Sequence, residues 1–230
     1  MTYSSSRFHA ALTSGAFPVA VSLARHDLDL AKAALDGGAF ALKTHLNAYH
    51  RATGTTFGTF AQERPFFEEL AGLGCPLLVM AGQETVPTAS EMNALADLGF
   101  EGFNVYIDHM QPHLLQSRLR PMPALSSTSM PETLAGIAAL PGCIIEASIM
   151  PFERYRTAMT ETDLARYTEV VKAVDVPVIV PSQLALTPAD SIALRAAGVA
   201  APLLGAIVTG DTPQSMFSAV SQFTRRLEAV

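Results

Sequence analysis

Val176-Pro-Val-Ile-Val-Pro181, then Ser182-Gln-Leu-Ala-Leu-Thr187, then Pro188-Ala-Asp-Ser-Ile-Ala-Leu-Arg-Ala-Ala197 and Gly198 read as one strand, one turn and one helix. The first run is nearly all apolar and rich in β-branched residues, as a parallel strand covered on both faces must be. Thr187 followed by Pro188 is an N-cap with proline at the first helical position, and Gly198 suits the left-handed turn that stops a helix. The same pattern can be followed along the rest of the chain. Apolar runs at Phe17–Ala24, Ala39–Asn47, Pro76–Gly82, Gly102–Asp108, Met122–Thr128, Cys143–Met150, Val176–Pro181 and Pro202–Val208 each precede a turn and a helical stretch. Eight such units in 230 residues predict a closed (β/α)8 TIM barrel, one α/β domain spanning 1–230. Catalytic groups of such a barrel lie where the strands run out into the following loops.

Composition fits that reading. With 49% hydrophobic and 16% charged residues, the chain can bury a large core. No apolar run approaches the roughly 20 residues that span a bilayer, and Met1-Thr-Tyr-Ser-Ser-Ser-Arg7 leads into no apolar segment, so a cytoplasmic location is expected. A net charge of −6 without a basic stripe predicts neither nucleic-acid nor anionic-membrane partners. Cys75 and Cys143 both open strands, at the end of the barrel that carries stability, and are expected to be reduced and buried. Thr88-Ala-Ser-Glu91 and Ser129-Met-Pro-Glu132 read as capping boxes and Thr212-Pro213 as a second N-cap with proline. Gly37, Gly74, Gly99, Gly142 and Gly198 are expected to end helices. Two loops are long for such a barrel, Ala48–Phe60 and Pro151–Thr160, and both are candidate lids, the first hinged at Gly54 and Gly58.

Glu84-Thr-Val-Pro-Thr-Ala-Ser-Glu-Met-Asn-Ala-Leu-Ala-Asp-Leu-Gly-Phe-Glu-Gly-Phe-Asn-Val-Tyr-Ile-Asp108 resembles the helix and fourth strand of N-acetylmannosamine-6-phosphate 2-epimerases. Val176–Asp190, Ala196-Ala-Gly198 and Gly205-Ala-Ile207 resemble the seventh and eighth units of the wider ribulose-phosphate-binding barrel superfamily. The resemblance implies a small phosphorylated substrate, held by backbone N–H groups after strands seven and eight. Ser182, Gln183, Thr209 and Gly210 occupy those turns, with Gly205 close by if the eighth strand ends early. The family's strand-three lysine and strand-seven glutamate are replaced here by Val79-Met-Ala-Gly-Gln83 and Val180-Pro-Ser-Gln183. A homodimer is expected by the same analogy, with Phe66, Phe67 and Phe152 near the long loops able to meet a second subunit.

Side chains alternate across a strand, so one parity faces the barrel axis. That puts Lys43, His45 and Asn47 on one face of strand two, Asn104, Tyr106 and Asp108 on one face of strand four, and Glu146 and Ser148 on one face of strand six. A lysine buried there needs an acidic partner, Glu146 or Asp108. Lys43 with such a partner suits proton abstraction beside a carbonyl, the step of sugar-phosphate isomerases and epimerases. It equally suits a Schiff-base aldolase or lyase, and the same interior could serve a non-catalytic sugar-phosphate-binding barrel. The catalytic candidates are therefore Lys43, Glu146, Asp108 and His45, while Asn47, Arg51, Asn104, Ser182, Gln183, Thr209 and Gly210 are expected to hold substrate or phosphate. Five histidines, His26, His45, His50, His109 and His113, fall at or beyond strand ends, but no spaced metal motif appears, so neither a metal nor another cofactor is expected.

Overall fold

The computed structural model describes residues 3–129 and 131–229. Its strands are β1 (Ala20–Ser22), β2 (Ala41–His45), a short antiparallel hairpin of β3 (Ala48–His50) and β4 (Thr55–Phe57), then β5 (Leu77–Met80), β6 (Phe100–Tyr106), β7 (Arg120–Ala124), β8 (Ile145–Glu146), β9 (Val178–Pro181) and β10 (Ala201–Leu204). All but the hairpin pair in parallel and close in the order β1-β10-β9-β8-β7-β6-β5-β2. The helices are α1 (Arg7–Thr13), α2 (Leu28–Asp36), α3 (Phe60–Ala71), α4 (Ala89–Asp97), α5 (Pro131–Ala138), α6 (Glu161–Lys172), α7 (Pro188–Ala196), α8 (Ala206–Thr209) and α9 (Pro213–Glu228). The chain is thus a (β/α)8 TIM barrel, and each of the eight expected apolar runs overlaps one barrel strand.

Three barrel strands start one or two residues before the expected runs, at Phe100, Arg120 and Ala201, and two further differences shape the site. The eighth barrel strand stops at Leu204, and the residues expected to extend it to Val208 instead form the one-turn helix α8. The loop read as a lid from Ala48 folds as the β3–β4 hairpin, so most of it is regular structure.

The helix starts follow their capping chemistry. Thr88, Thr187 and Thr212 accept the backbone N–H of Glu91, Asp190 and Ser215, and Thr160 does the same for Asp163. The capping box expected at Ser129-Met-Pro-Glu132 lies outside the described residues. Gly74, Gly99, Gly142 and Gly198 all take positive φ, but after α2 the left-handed residue is Gly38, not Gly37.

The core has two layers. Between sheet and helices, Phe67, Phe100, Leu30 and Leu42 are fully buried. Inside the barrel a second cluster gathers Leu78, Met122, Ile144 and Ile179, and Phe8 and Leu12 of α1 cover it from below. That plug is fastened by Glu101 on β6, whose carboxylate is nearly buried. It accepts the Phe8 N–H at 2.9 Å, the Ser6 hydroxyl at 3.0 Å and Arg7 Nε at 3.1 Å. A buried carboxylate satisfied on several sides holds its helix in place without leaving an unpaired charge. Cys75 is half-buried and Cys143 buried, both free, and burial pushes the Cys143 thiol up to about 12. Among the described residues no helix is long and apolar enough to cross a membrane.

Replacing Phe8 with Ala leaves a cavity in the fully buried plug. The variant is expected to lose about 3–5 kcal/mol of unfolding free energy, read as a lower urea midpoint with unchanged slope.

Candidate active site

Lys43 on β2 and Glu146 on β8 stand on strands separated by half the circumference of the barrel, and their side chains reach across its axis. Lys43 Nζ donates to Glu146 Oε2 at 2.6 Å and to Asn104 Oδ1, from β6, at 3.0 Å. The two charged side chains are 4% and 6% exposed. Each would cost several kcal/mol to desolvate alone, so neither is stable there without the other. The surroundings complete the network: Asn104 Nδ2 donates to the Met122 carbonyl at 2.7 Å, and Ser148 Oγ donates to Glu146 Oε1 at 3.0 Å. Period-two alternation on β2, β6 and β8 thus brings Lys43, Asn104 and Glu146 together as expected.

The network forms the floor of an inner chamber of about 110 Å³. His45, His50, Tyr106, Tyr155 and Gln183 line both this chamber and a wider outer one of about 370 Å³. Ser22, Ser182 and the backbone of Gly205-Ala206-Ile207 bound the inner chamber on the side of β1, β9 and β10. Ser182 Oγ accepts the Gly205 N–H at 2.7 Å, so that side chain positions the start of α8.

The histidines form a chain from chamber to scaffold. His45 is 2% exposed, stacks on Phe57 at 4.7 Å and meets His50 edge-on at 4.8 Å, and its Nδ1 has no hydrogen-bond partner among the described residues. Burial, together with the nearby cationic positions of His50, Lys43 and His26, holds His45 well below the ordinary imidazole range. Burial and the Lys43 charge lower His50 to about 4. Its Nδ1 is fixed by Thr53 Oγ1 at 2.8 Å. His26 lies behind them. Its Nδ1 contacts Glu63 Oε2 at 2.5 Å, its Nε2 contacts Thr44 Oγ1 at 2.6 Å, and its ring stacks on Phe66 at 4.4 Å. Burial lowers the His26 pKa, partly offset by the bond to Glu63. Glu63 also accepts the Gly58 N–H at 2.6 Å, so one carboxylate on α3 ties the end of the hairpin to His26. Gly58, expected as a hinge, is thereby pinned, and a side chain there would have to displace the ends of Gln62 and Glu63. The hairpin and the loop after β8 meet where Arg156 Nη2 donates to the Ala52 carbonyl at 2.5 Å.

Several expected site residues lie elsewhere. β6 ends at Tyr106 and the chain enters a 3₁₀ turn at Ile107–His109, so strand alternation no longer carries Asp108 inward and its side chain is exposed. Asn47 adopts φ 48°, turns the chain out of β2 into the hairpin and donates its N–H to the Gly58 carbonyl; it lines neither chamber. Thr209 and Gly210 fall at the far end of α8 because β10 ends early, and the segment facing the chamber is Gly205–Ile207. Gln183 lines the chambers, but its amide is fully engaged. It accepts the Met150 N–H at 3.0 Å and donates to the Ser148 carbonyl at 3.2 Å and to Tyr155 Oη at 2.6 Å. Arg51 is exposed in the hairpin turn and lines the outer chamber. Phe67 is fully buried, and Phe66 packs on His26, so of the three phenylalanines expected at a subunit contact only Phe152 is exposed. Tyr106 and Ser148 share the inward parity and could have been added from the sequence alone, whereas Tyr155 and His50 sit on loop and hairpin positions that alternation does not address. Among the described residues no three His, Cys, Asp or Glu side chains are grouped as metal ligands.

No family model and no curated protein matches the chain by sequence. Solved structures match by shape. Thiamine phosphate pyrophosphorylase from Pyrococcus furiosus superposes with a TM-score of 0.66 at 11% identity, over 97% of this chain and 98% of that one. Tryptophan synthase from M. tuberculosis gives 0.67 at 14% identity, over 96% of each chain. A mutant tryptophan synthase alpha-subunit from Pyrococcus furiosus gives 0.68 at 11%, over 91% of this chain and 98% of that one. Likeness at these identities establishes the (β/α)8 architecture.

The three histidines set an acid limit on stability. Their folded pKa values lie below the 6.5 of the free side chain, so the unfolded chain binds more protons once pH falls under about 6.5, and folding is progressively disfavoured down to about 4. His50 alone accounts for up to about 3 kcal/mol across that window. Urea midpoints measured from pH 7.5 to 5 are expected to fall, and His50→Gln is expected to flatten the slope.

Proposed function

We propose that this barrel is an enzyme of the isomerase or epimerase class, which moves a proton beside the carbonyl of a small phosphorylated sugar or related compound. The observation that carries the reading is the Lys43–Glu146 pair buried at the floor of an otherwise open chamber. A structural ion pair needs no access, whereas this one lines the cavity with both partners.

In this scheme Lys43 Nζ donates to the substrate's carbonyl oxygen, and Glu146 accepts the proton from the adjoining carbon. The enediolate formed carries its negative charge on the oxygen held by Lys43. Returning that proton from Glu146 to the neighbouring carbon on the same face, while the hydroxyl proton passes from one oxygen to the other, isomerises the sugar; epimerisation requires a second proton donor on the opposite face. Asn104 keeps the amine aimed across the barrel, and Ser148 fixes the second carboxylate oxygen, so both reacting groups are oriented before substrate arrives. The substrate's phosphate would lie against Ser182 and the Gly205–Ile207 backbone or, at the rim, against Arg51.

Two further facts support an enzyme of this kind. Barrels of the same shape include a protein named for thiamine phosphate and tryptophan synthases. The Glu84–Asp108 stretch resembles phosphosugar epimerases. Where that family has its lysine and glutamate, Met80 and Pro181 line the chamber here, so the same chemistry would be carried by Lys43 and Glu146. The contacts of Lys43 with Glu146 and Asn104 aim its amine at one point of the chamber, which suits a group that polarises an oxygen.

The test is hydrogen exchange from deuterated water into a panel of ketose and aldose phosphates, followed by proton NMR. Wild type is expected to label one carbon next to the carbonyl of its substrate. Lys43→Met combined with Glu146→Gln removes the pair together, avoiding a stranded charge, and is expected to slow labelling by about 10²–10⁴-fold while remaining folded by circular dichroism. Labelling that survives the double substitution, or tight binding without any labelling, would overturn the proposal; a borohydride-trapped adduct on Lys43 would replace it with the Schiff-base route.

A further inference from the structure

Among the described residues the large hydrophobic side chains left exposed are Phe40, Tyr49, Phe152 and Phe217, and two of these four line the outer chamber. Tyr49 is 53% exposed on the hairpin after β2, and Phe152 is 52% exposed on the loop after β8. β2 and β8 lie half a turn apart around the barrel, so the two rings rise from opposite sides of its mouth. Neither position is slack. Gln83 holds the Tyr49 backbone from both sides, at 3.4 and 3.5 Å, and Phe152 leans on the Tyr155 ring at 5.1 Å. Tyr155 is in turn fixed by Gln183 and also lines the inner chamber. An aromatic wall therefore descends from the rim to the Lys43–Glu146 floor.

Volume points the same way. The inner chamber, about 110 Å³, has room for little more than the reacting fragment, whereas the outer one, about 370 Å³, is as large as a separate small-molecule site. Arg51, two residues after Tyr49 in the chain, supplies a cation to the same chamber. Aromatic rings gain most from a flat π-surface laid against them in offset or edge-on contact.

We infer that the substrate is more than a simple sugar phosphate: it carries a planar aromatic or heteroaromatic group together with an anionic group, and Tyr49 and Phe152 clamp that ring in the outer chamber with Arg51 beside it. This deepens the proposed function by naming the substrate class of the same site. It does not depend on which reaction follows.

The chain contains no tryptophan, so a fluorescent aromatic anion excited beyond the absorption of its five tyrosines can be followed with little protein background. The probe is 1-naphthyl phosphate, read by emission anisotropy on titration with the full chain, with glycerol 3-phosphate as the non-aromatic comparison in calorimetry. The expected result is binding of the naphthyl probe at least about tenfold tighter than of glycerol 3-phosphate, lost by about tenfold or more in the combined Tyr49→Ala, Phe152→Ala variant. Lys43→Met with Glu146→Gln should leave probe affinity within about threefold, since the inner chamber is not where the ring sits; failure of the proton-transfer reading would therefore leave this result standing. Equal binding of the two phosphates, or indifference of the probe to the Tyr49 and Phe152 substitutions, would overturn the clamp. So would a sedimentation change from dimer to monomer on making those substitutions, because the rings would then be a subunit contact.

Discussion

A lysine and a glutamate placed at the axis of a closed barrel impose conditions on everything around them. Their attraction offsets desolvation only if the remaining hydrogen-bonding capacity is filled, and the fold does this with Asn104 for the amine and Ser148 for the carboxylate. Those partners come from β6 and from the segment just beyond β8, so four inward positions on three strand segments depend on one another. Below them the interior is apolar and sealed by α1; above them it is polar and open. The boundary between stability and chemistry therefore passes through the plane of the Lys43–Glu146 pair.

The wall of the chamber is held from outside the barrel. His26 and Glu63 bind each other, and between them they reach the β2 residues Thr44 and His45 and the hairpin residue Gly58. The hairpin in turn carries His50 and Tyr49 over the mouth. A loop of this length without internal pairing would be free to swing; here β3–β4 hydrogen bonds and the stack of His26, Phe66, Phe57 and His45 give it a fixed seat. The cost is a set of imidazoles that the folded state keeps neutral.

The fold was legible in the sequence because its signals are local and repeated: apolar runs, threonine caps and stop glycines. The core of the site was legible for a different reason. Strand alternation is a rigid rule, and it carried Lys43, Asn104 and Glu146 to one interior. The same rule failed wherever the strand had already ended. Asp108 lies two residues past β6, Asn47 sits on the bend after β2, and Thr209 is beyond β10. Strand ends depend on where neighbouring strands stop offering partners, which is a property of the whole barrel. Tyr155 and Tyr49 stayed hidden, and His50 and Phe152 were named without a direction, because loops and hairpin have no period from which to read one. Gln183 was identified as a site position, but its saturation by three partners is visible only once the chain is folded.

The α1 plug bears on the order in which the molecule comes together during synthesis. Its fastenings are all distant in sequence: Glu101 binds Ser6, Arg7 and Phe8, and the Arg118 carbonyl accepts the Ser4 N–H. Residues that fasten this helix lie 67 to 95 positions further along the chain. Its apolar face must wait, uncovered, for the cylinder to close. Seating it is then a report that the chain has reached its final register.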